Sequence, residues 1–306
     1  MLSFKSGTRL AEIENGRRKK AILYVKDDDS KPEISNTNKA DLLPKSFYTS
    51  LKNATPHGIL LLKKAFNESR PDLVSKYDNL AHAYNIGIDL IKDLDKKYFQ
   101  IPKDQGKLIP IPMIESSRIA VFGPSGVGKS TWISKFMKKY IEYYPKNHIY
   151  VFSPKLDDPA YKDIKQLDYV KLDDGVVDEP LDCDEFKDSM CVFDDIESIT
   201  DKHINNAITK FRNQCLEIGR APYNITTICV HHVILASEKT KIILNECDEV
   251  VLFPKSNFSQ IESLCRRYYG FTRDQIAYLR DVPSRYAVIK RSYPTTILSE
   301  NAIKVL

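Results

Sequence analysis

Short apolar runs recur through the second part of the chain, at 119–122, 148–152, 190–194, 225–230, 249–253 and 286–290, and helical patterns separate most of them. Runs of this length, without polar alternation, suit strands buried on both faces of a parallel sheet. Parallel neighbours need crossover connections, so the pattern predicts a three-layer α/β domain with helices on both faces. Upstream the pattern changes. From 58 to 98 it is helical, and after Pro71 the positions Leu73, Tyr77, Leu80, Tyr84, Ile88, Ile91, Leu94 and Tyr98 recur at three- and four-residue steps, predicting one long amphipathic helix or two. The segment Ile101 to Pro112, with prolines at 102, 110 and 112, reads as a linker. Residues 1–55 are weakly patterned, with one strand expected at Ala21 to Val25, opposed charge runs at Arg17 to Lys20 and Asp27 to Asp29, and a polar stretch near 35–39. The expected division is therefore an N-terminal region at 1–105, irregular and then helical, and an α/β domain at 106–306.

The first apolar run breaks into Gly123, Pro124, Ser125, Gly126, Val127, Gly128, Lys129, Ser130 and Thr131. This is a complete phosphate-binding P-loop. Its glycines let successive backbone N–H groups converge on one anion, Lys129 brings a mobile charge to the β- and γ-phosphates, and Ser130 offers a hydroxyl to Mg2+. Behind it Ile133, Phe136, Met137, Tyr140 and Ile141 mark one face of a helix whose N-terminus points at the phosphates. ATP with Mg2+ is the expected ligand.

The run Met190-Cys-Val-Phe-Asp-Asp195 is a buried-type strand ending in two acids, as a Walker B element does. On a strand neighbouring the P-loop strand, Asp194 would hold the metal through its water shell and Asp195 would activate the attacking water, with Glu197 as the competing base. Residues 201–218 then form a helical stretch bearing Ile204, Ile208, Phe211 and Cys215, closed by Gly219 as a C-cap. The strand after it ends in His231-His232. Adjacent residues on a strand face opposite ways, so only one histidine can reach a nucleotide, and His232 is the candidate γ-phosphate sensor. Arg220 and Arg212 are candidates for an arginine finger acting across a subunit boundary.

Composition narrows the picture. The chain has 306 residues, 42% hydrophobic and 28% charged, with no apolar run approaching a membrane span and no secretory signal in Met-Leu-Ser-Phe-Lys-Ser-Gly, so an intracellular location is expected. Six cysteines without CxxC spacing support neither a zinc site nor a disulfide framework. The net charge of +5 is mild but unevenly spread: acids crowd 156–201 and bases crowd 255–291.

This succession of motifs, with Cys-Asp-Glu-Val-Val-Leu-Phe-Pro at 247–254 and Lys-Arg-Ser-Tyr-Pro at 290–294, resembles the FtsK/HerA superfamily, and within it the genome-packaging ATPases of nucleocytoplasmic large DNA viruses and virophages. The match runs over about 115–306. It implies a RecA-like (ASCE) P-loop NTPase and a ring of subunits, a pentamer or hexamer. It further implies ATP-driven movement of double-stranded DNA into a preformed capsid, contacts with capsid or vertex proteins, and a place in the viral factory of the host-cell cytoplasm and in the virion. A translocase grips phosphates without reading bases, which directs attention to Arg266, Arg267, Arg273 and Arg280. Two positions depart from the family, which often has Glu as the second acid and Gln at the sensor tip, where this chain has Asp195 and His232. A histidine there implies pH-dependent turnover. The rival readings are a P-loop kinase of a small molecule and a nucleotide-gated assembly factor without motor activity.

Overall fold

The computed structural model describes residues 1–14, 20–26, 38–51, 54–95, 97–101, 105–232 and 238–306. The charged run expected at 17–20 except Lys20, the run at 27–29, most of the polar stretch at 35–39, and Pro102 of the expected linker lie outside the described residues. Among the described residues the strands are β1 (Leu2–Ser3), β2 (Thr8–Glu14), β3 (Ile22–Val25), β4 (Tyr98–Gln100), β5 (Lys107–Pro110), β6 (Arg118–Phe122), β7 (His148–Phe152), β8 (Leu167–Val170), β9 (Ser189–Asp194), β10 (Thr226–His231), β11 (Glu249–Leu252), β12 (Ala287–Lys290), β13 (Thr296–Ser299) and β14 (Ala302–Val305). The helices are α1 (Lys45–Thr49), α2 (Pro56–Glu68), α3 (Asp78–Asp95), α4 (Lys129–Tyr143), α5 (Gly175–Asp178), α6 (Lys202–Glu217), α7 (Glu238–Glu246), α8 (Phe258–Tyr268) and α9 (Arg273–Asp281). No helix among the described residues is long and apolar enough to cross a membrane.

The large sheet runs β4-β14-β13-β12-β11-β6-β10-β9-β7-β8. Its strands β11, β6, β10, β9, β7 and β8 are parallel, as the unbroken apolar runs require, and β9 is buried at every position but its last. With helices on the flanks this is a RecA-like (ASCE) P-loop fold. Three features differ from expectation. The strand carrying Asp194 does not adjoin the P-loop strand, because β10 lies between β6 and β9 and pairs with both. The run at 286–290 forms β12 antiparallel to β11, and β13, β14 and β4 continue the sheet antiparallel. Finally β8, whose sequence Leu-Asp-Tyr-Val is interrupted by a charge and only partly buried, adds a parallel edge strand.

Across the amino-terminal part, more strand forms than the sequence pattern indicates. Strands β1, β3, β2 and β5 make a four-stranded antiparallel sheet, so part of the expected linker is the strand Lys107–Pro110 paired with Thr8–Glu14. Strands on both sides of residue 105 thus pair with partners far away in sequence. The small sheet shares a core with α4: Leu10, Ala11, Ile13 and Leu23 join Trp132, Phe136 and Tyr140 in one apolar cluster, and Lys139 Nζ donates to Glu12 at 2.9 Å. Burying each such side chain contributes about 1.5–3 kcal/mol. The two helices read between 58 and 98 are α2 and α3, joined by a short turn at Pro71–Leu73, with a satellite core of their own around Leu62, Phe66 and Tyr84. All six cysteines are buried free thiols.

Opposite each other on β11 and β12, Glu249 and Lys290 are wholly buried and 3.1 Å apart. Burial raises the carboxyl's pKa and lowers the ammonium's, and each opposes the shift of its partner. Removing one charge strands the other, so Lys290→Met should cost about 3–5 kcal/mol, while Glu249→Leu with Lys290→Met should restore most of it. Urea unfolding of the three proteins checks this; equal losses in the single and double variants would contradict it.

Candidate nucleotide site

Strand β6 ends at Phe122 and the chain turns at once into the P-loop. A Cβ on Gly123 would lie 2.9 Å from Val127 Cγ2 and 3.0 Å from Phe253, so only glycine lets the loop fold this tightly over the sheet. Gly128 adopts φ 106°, a left-handed conformation, immediately before α4 begins at Lys129. The apolar face expected on this helix is buried, with Trp132 and Phe136 stacked at 5.3 Å.

The register sets Phe122 beside His231 and Val230 beside Asp194, so the ends of β6, β10 and β9 lie level at the carboxyl edge of the sheet. A cleft of about 500 Å³ opens there. Ser125, Gly126, Gly128, Lys129, Ser130, Thr131, Asp194, Asp195 and His232 line it, together with Lys155, Asp158, Tyr161 and Tyr169 from the segments after β7. With β10 interposed, the P-loop and acidic strands stand two strand spacings apart, about 10 Å, which leaves room for a phosphate and a hydrated cation.

Lys129 Nζ donates to the carbonyls of Gly123 (2.7 Å) and Pro124 (3.2 Å) and lies 3.3 Å from His232 Nδ1. Burial lowers its pKa, while Asp194 and Asp195 act the other way. The Asp194 carboxyl is pushed up to about 6, by burial first and by its neighbour Asp195 second. Asp195 has a left-handed backbone, φ 54°, tolerated by a short polar residue, and this brings its side chain back over the cleft. Its Oδ1 meets His232 Nε2 and its Oδ2 lies 3.0 Å from Lys155 Nζ. Burial would raise its pKa, but these two partners outweigh burial and hold it below the usual carboxylate range.

Mg2+ is a hard cation that takes oxygen ligands and keeps several waters. Ser130 and Asp194 both line the cleft and supply oxygens to it, and Tyr161, deeply buried, lines the same cleft. A hydroxyl and a carboxylate are the hard oxygen donors this cation takes, so the donor set fits the metal.

Three sequence candidates fall outside this cleft. Glu197 turns to the other side, where His231 Nδ1 lies 2.9 Å from its carboxylate and Arg212 Nη1 3.6 Å away. Burial raises its pKa, yet the His231 contact holds it low; a carboxylate so engaged is not positioned as the base. Arg212 is only 1% exposed, in contact with Glu197 and Asn213, which prevents it from projecting into a neighbouring subunit as a finger. Arg220 is half-exposed at the opposite edge of the sheet, 4.0 Å from Asp248, and takes no part in this chain's own cleft. The two histidines part as strand alternation dictates, His231 buried against Phe122 and His232 in the cleft. Lys155 and Tyr161 carry no motif around them, and only the folded chain brings them to the site.

No family model matches the chain. The "Uncharacterized protein V3" of the Sputnik virophage is 33% identical to it over 218 residues, which are 70% of this chain and 88% of V3. The chain belongs to the family of this virophage protein. Among solved structures it is similar to the genome packaging NTPase B204 of Sulfolobus turreted icosahedral virus 2, at 11% identity and a TM-score of 0.41, over 60% of this chain and 96% of B204. It is also similar to the pCW3 conjugation coupling protein TcpA, at 13% identity and a TM-score of 0.41, over 67% of this chain and 65% of TcpA.

The two acids outside and inside the cleft make different predictions. Asp195→Asn should lower ATP turnover at least 100-fold with ATPγS binding retained, whereas Glu197→Gln should keep turnover within a few fold and lose stability through the orphaned His231 and Arg212. Steady-state rates and thermal unfolding of both variants separate the roles.

Proposed function

We propose that this protein is a Mg2+-dependent ATPase motor that moves double-stranded DNA and packages a viral genome into a preformed capsid. The observation that carries the ATPase reading is the convergence of Lys129, Ser130, Asp194, Asp195 and His232 on one cleft at the carboxyl edge of a parallel sheet. In that cleft the P-loop backbone and Lys129 hold the β- and γ-phosphates, and Ser130 and Asp194 would hold the metal. Bound Mg2+ would neutralise charge on the phosphates. Asp195 orients a water in line with the γ-phosphorus and accepts its proton as the new P–O bond forms and the bond to the ADP oxygen breaks. His232, on the strand tip between the two elements, reads whether the γ-phosphate is present.

Membership in a virophage family and the packaging NTPase among its structural resemblances support the motor reading. A ring, pentamer or hexamer, would supply a finger from a neighbouring subunit, with Arg220 as its candidate, and would dock on capsid or vertex proteins in the viral factory and virion. The DNA grip falls to α8 and α9. Arg266, Arg267, Arg273 and Arg280 are exposed there, and Glu262 pairs with Arg266 at 2.7 Å and Arg280 at 3.2 Å, leaving Arg267 and Arg273 as the freer pair.

Turnover should rise several-fold with linear duplex DNA and vanish in Lys129→Ala. A kinase would instead require a small acceptor, and an assembly factor would show neither response. Reversing Arg267 and Arg273 to Glu should diminish the DNA stimulation and its salt dependence with basal hydrolysis intact; undiminished stimulation would clear this surface of the role.

A further inference from the structure

Four side chains form a continuous chain of contacts across the mouth of the nucleotide cleft. Lys129 Nζ approaches His232 Nδ1 at 3.3 Å, His232 Nε2 meets Asp195 Oδ1, and Lys155 Nζ stands 3.0 Å from Asp195 Oδ2. An ammonium can only donate, so Nδ1 accepts and the ring proton sits on Nε2, where it is given to Asp195. Both oxygens of the general base are therefore occupied. The two lysines sit at the two ends of the chain, each on a group that can release it.

We propose that Lys155 is a second γ-phosphate ligand supplied in cis, and that Asp195 holds it in waiting until the nucleotide arrives. The inference rests on the ATPase reading of this cleft. Lys155 belongs to the loop after β7, where its own N–H donates to Ser153 Oγ at 3.1 Å and fixes the backbone, while the side chain is 75% exposed and its ammonium is free to move. Its ion pair among the described residues is the one with Asp195, whose carboxylate is 17% exposed; the lysine end of the pair lies in solvent and is the partner free to leave. A γ-phosphate in the same cleft carries more charge than one carboxylate and excludes water as it binds, so it outcompetes Asp195 for the ammonium.

The exchange has a consequence for the chemistry. As Lys155 moves to a γ-oxygen it leaves Oδ2 with an open lone pair facing the cleft, the atom that then accepts the proton of the attacking water. Lys129 leaves Nδ1 for the same phosphate, which frees His232 at the other end. Asp195 in the ligand-free protein thus stands where the anion will stand, and it becomes available as a base only when the third phosphate is present. Lys155 touches the substrate by this account and stabilises the charge on its equatorial oxygens.

The test is equilibrium binding of ATPγS, ADP and AMP to the full chain, with magnesium present, for the unaltered protein, Lys155→Met, Asp195→Asn and the double variant. Lys155→Met keeps the aliphatic stem at an exposed position and should raise the Kd for ATPγS about tenfold while changing ADP and AMP less than twofold. Asp195→Asn should tighten ATPγS, because the latch is weakened, and Lys155→Met should then cost more in that background than in the unaltered one. Equal losses for ADP and ATPγS, no loss for ATPγS, or a smaller Lys155→Met effect in the Asp195→Asn background would overturn the proposal. Lys129→Ala keeps the outcomes apart: if it still binds ATPγS normally, or if the unaltered protein binds none, the nucleotide reading of the cleft falls and this proposal falls with it.

Discussion

The hydrogen-bond ladder that inserts β10 between β6 and β9 is the constraint on which the site depends. Pairing on both sides of one short strand fixes three chain ends at a single level, with Phe122 beside His231 and Asp194 beside Val230. Side-chain chemistry follows from that. One strand spacing would press Asp194 against the Lys129 ammonium as an ordinary ion pair; two spacings make a gap that a phosphate can fill, bounded by a cation on one side and two acids on the other. The third boundary is the tip of the inserted strand itself, and this is why His232 contacts both Lys129 and Asp195.

The P-loop helix is held from behind by elements that sequence reasoning had set apart from the ATPase domain. Glu12 on β2 pairs with Lys139 on α4, and Arg9 Nη2 donates to Tyr144 just after the helix at 2.9 Å while stacking over Tyr143. These charged contacts flank a shared apolar core, so the small sheet and the helix pack as one unit. Movement of the P-loop helix during turnover must carry the small sheet with it, or break those contacts.

The local features were legible in the chain, and the long-range ones were not. The P-loop, the paired acids after an apolar strand, and the opposite faces of His231 and His232 follow from a few neighbouring residues, because turn geometry and strand alternation act over one to nine positions. Strand order is decided by pairing between segments a hundred residues apart, so the insertion of β10 had no local signature. Thr8–Glu14 alternates charge with apolar residues, Thr-Arg-Leu-Ala-Glu-Ile-Glu, and reads as weak pattern until β5 and the buried face of α4 supply its partners. Glu197 looked equivalent to Asp195 on spacing alone; the left-handed backbone at Asp195 is what sends the two carboxylates to opposite sides of the sheet. Lys155 lies among ordinary loop residues and gains meaning only from the carboxylate it meets.

That separation of the acids also explains why the histidine pair is tolerated at a strand tip. Each imidazole faces one carboxylate, buried His231 with the exposed Glu197 on the far side of the strand tip and His232 with Asp195 in the cleft. Had both acids lain on one side, two carboxylates and one imidazole would have competed in the cleft and the buried His231 would have had no charge to answer it. The Glu197–His231 pair, braced by Arg212, steadies the short turn at Ile196–Ser198 that follows β9. A steady turn keeps Asp195 in its strained conformation at φ 54°, so the cluster of exposed Glu197 with buried His231 and Arg212 acts on the chemistry through the backbone of its neighbour, without entering the cleft.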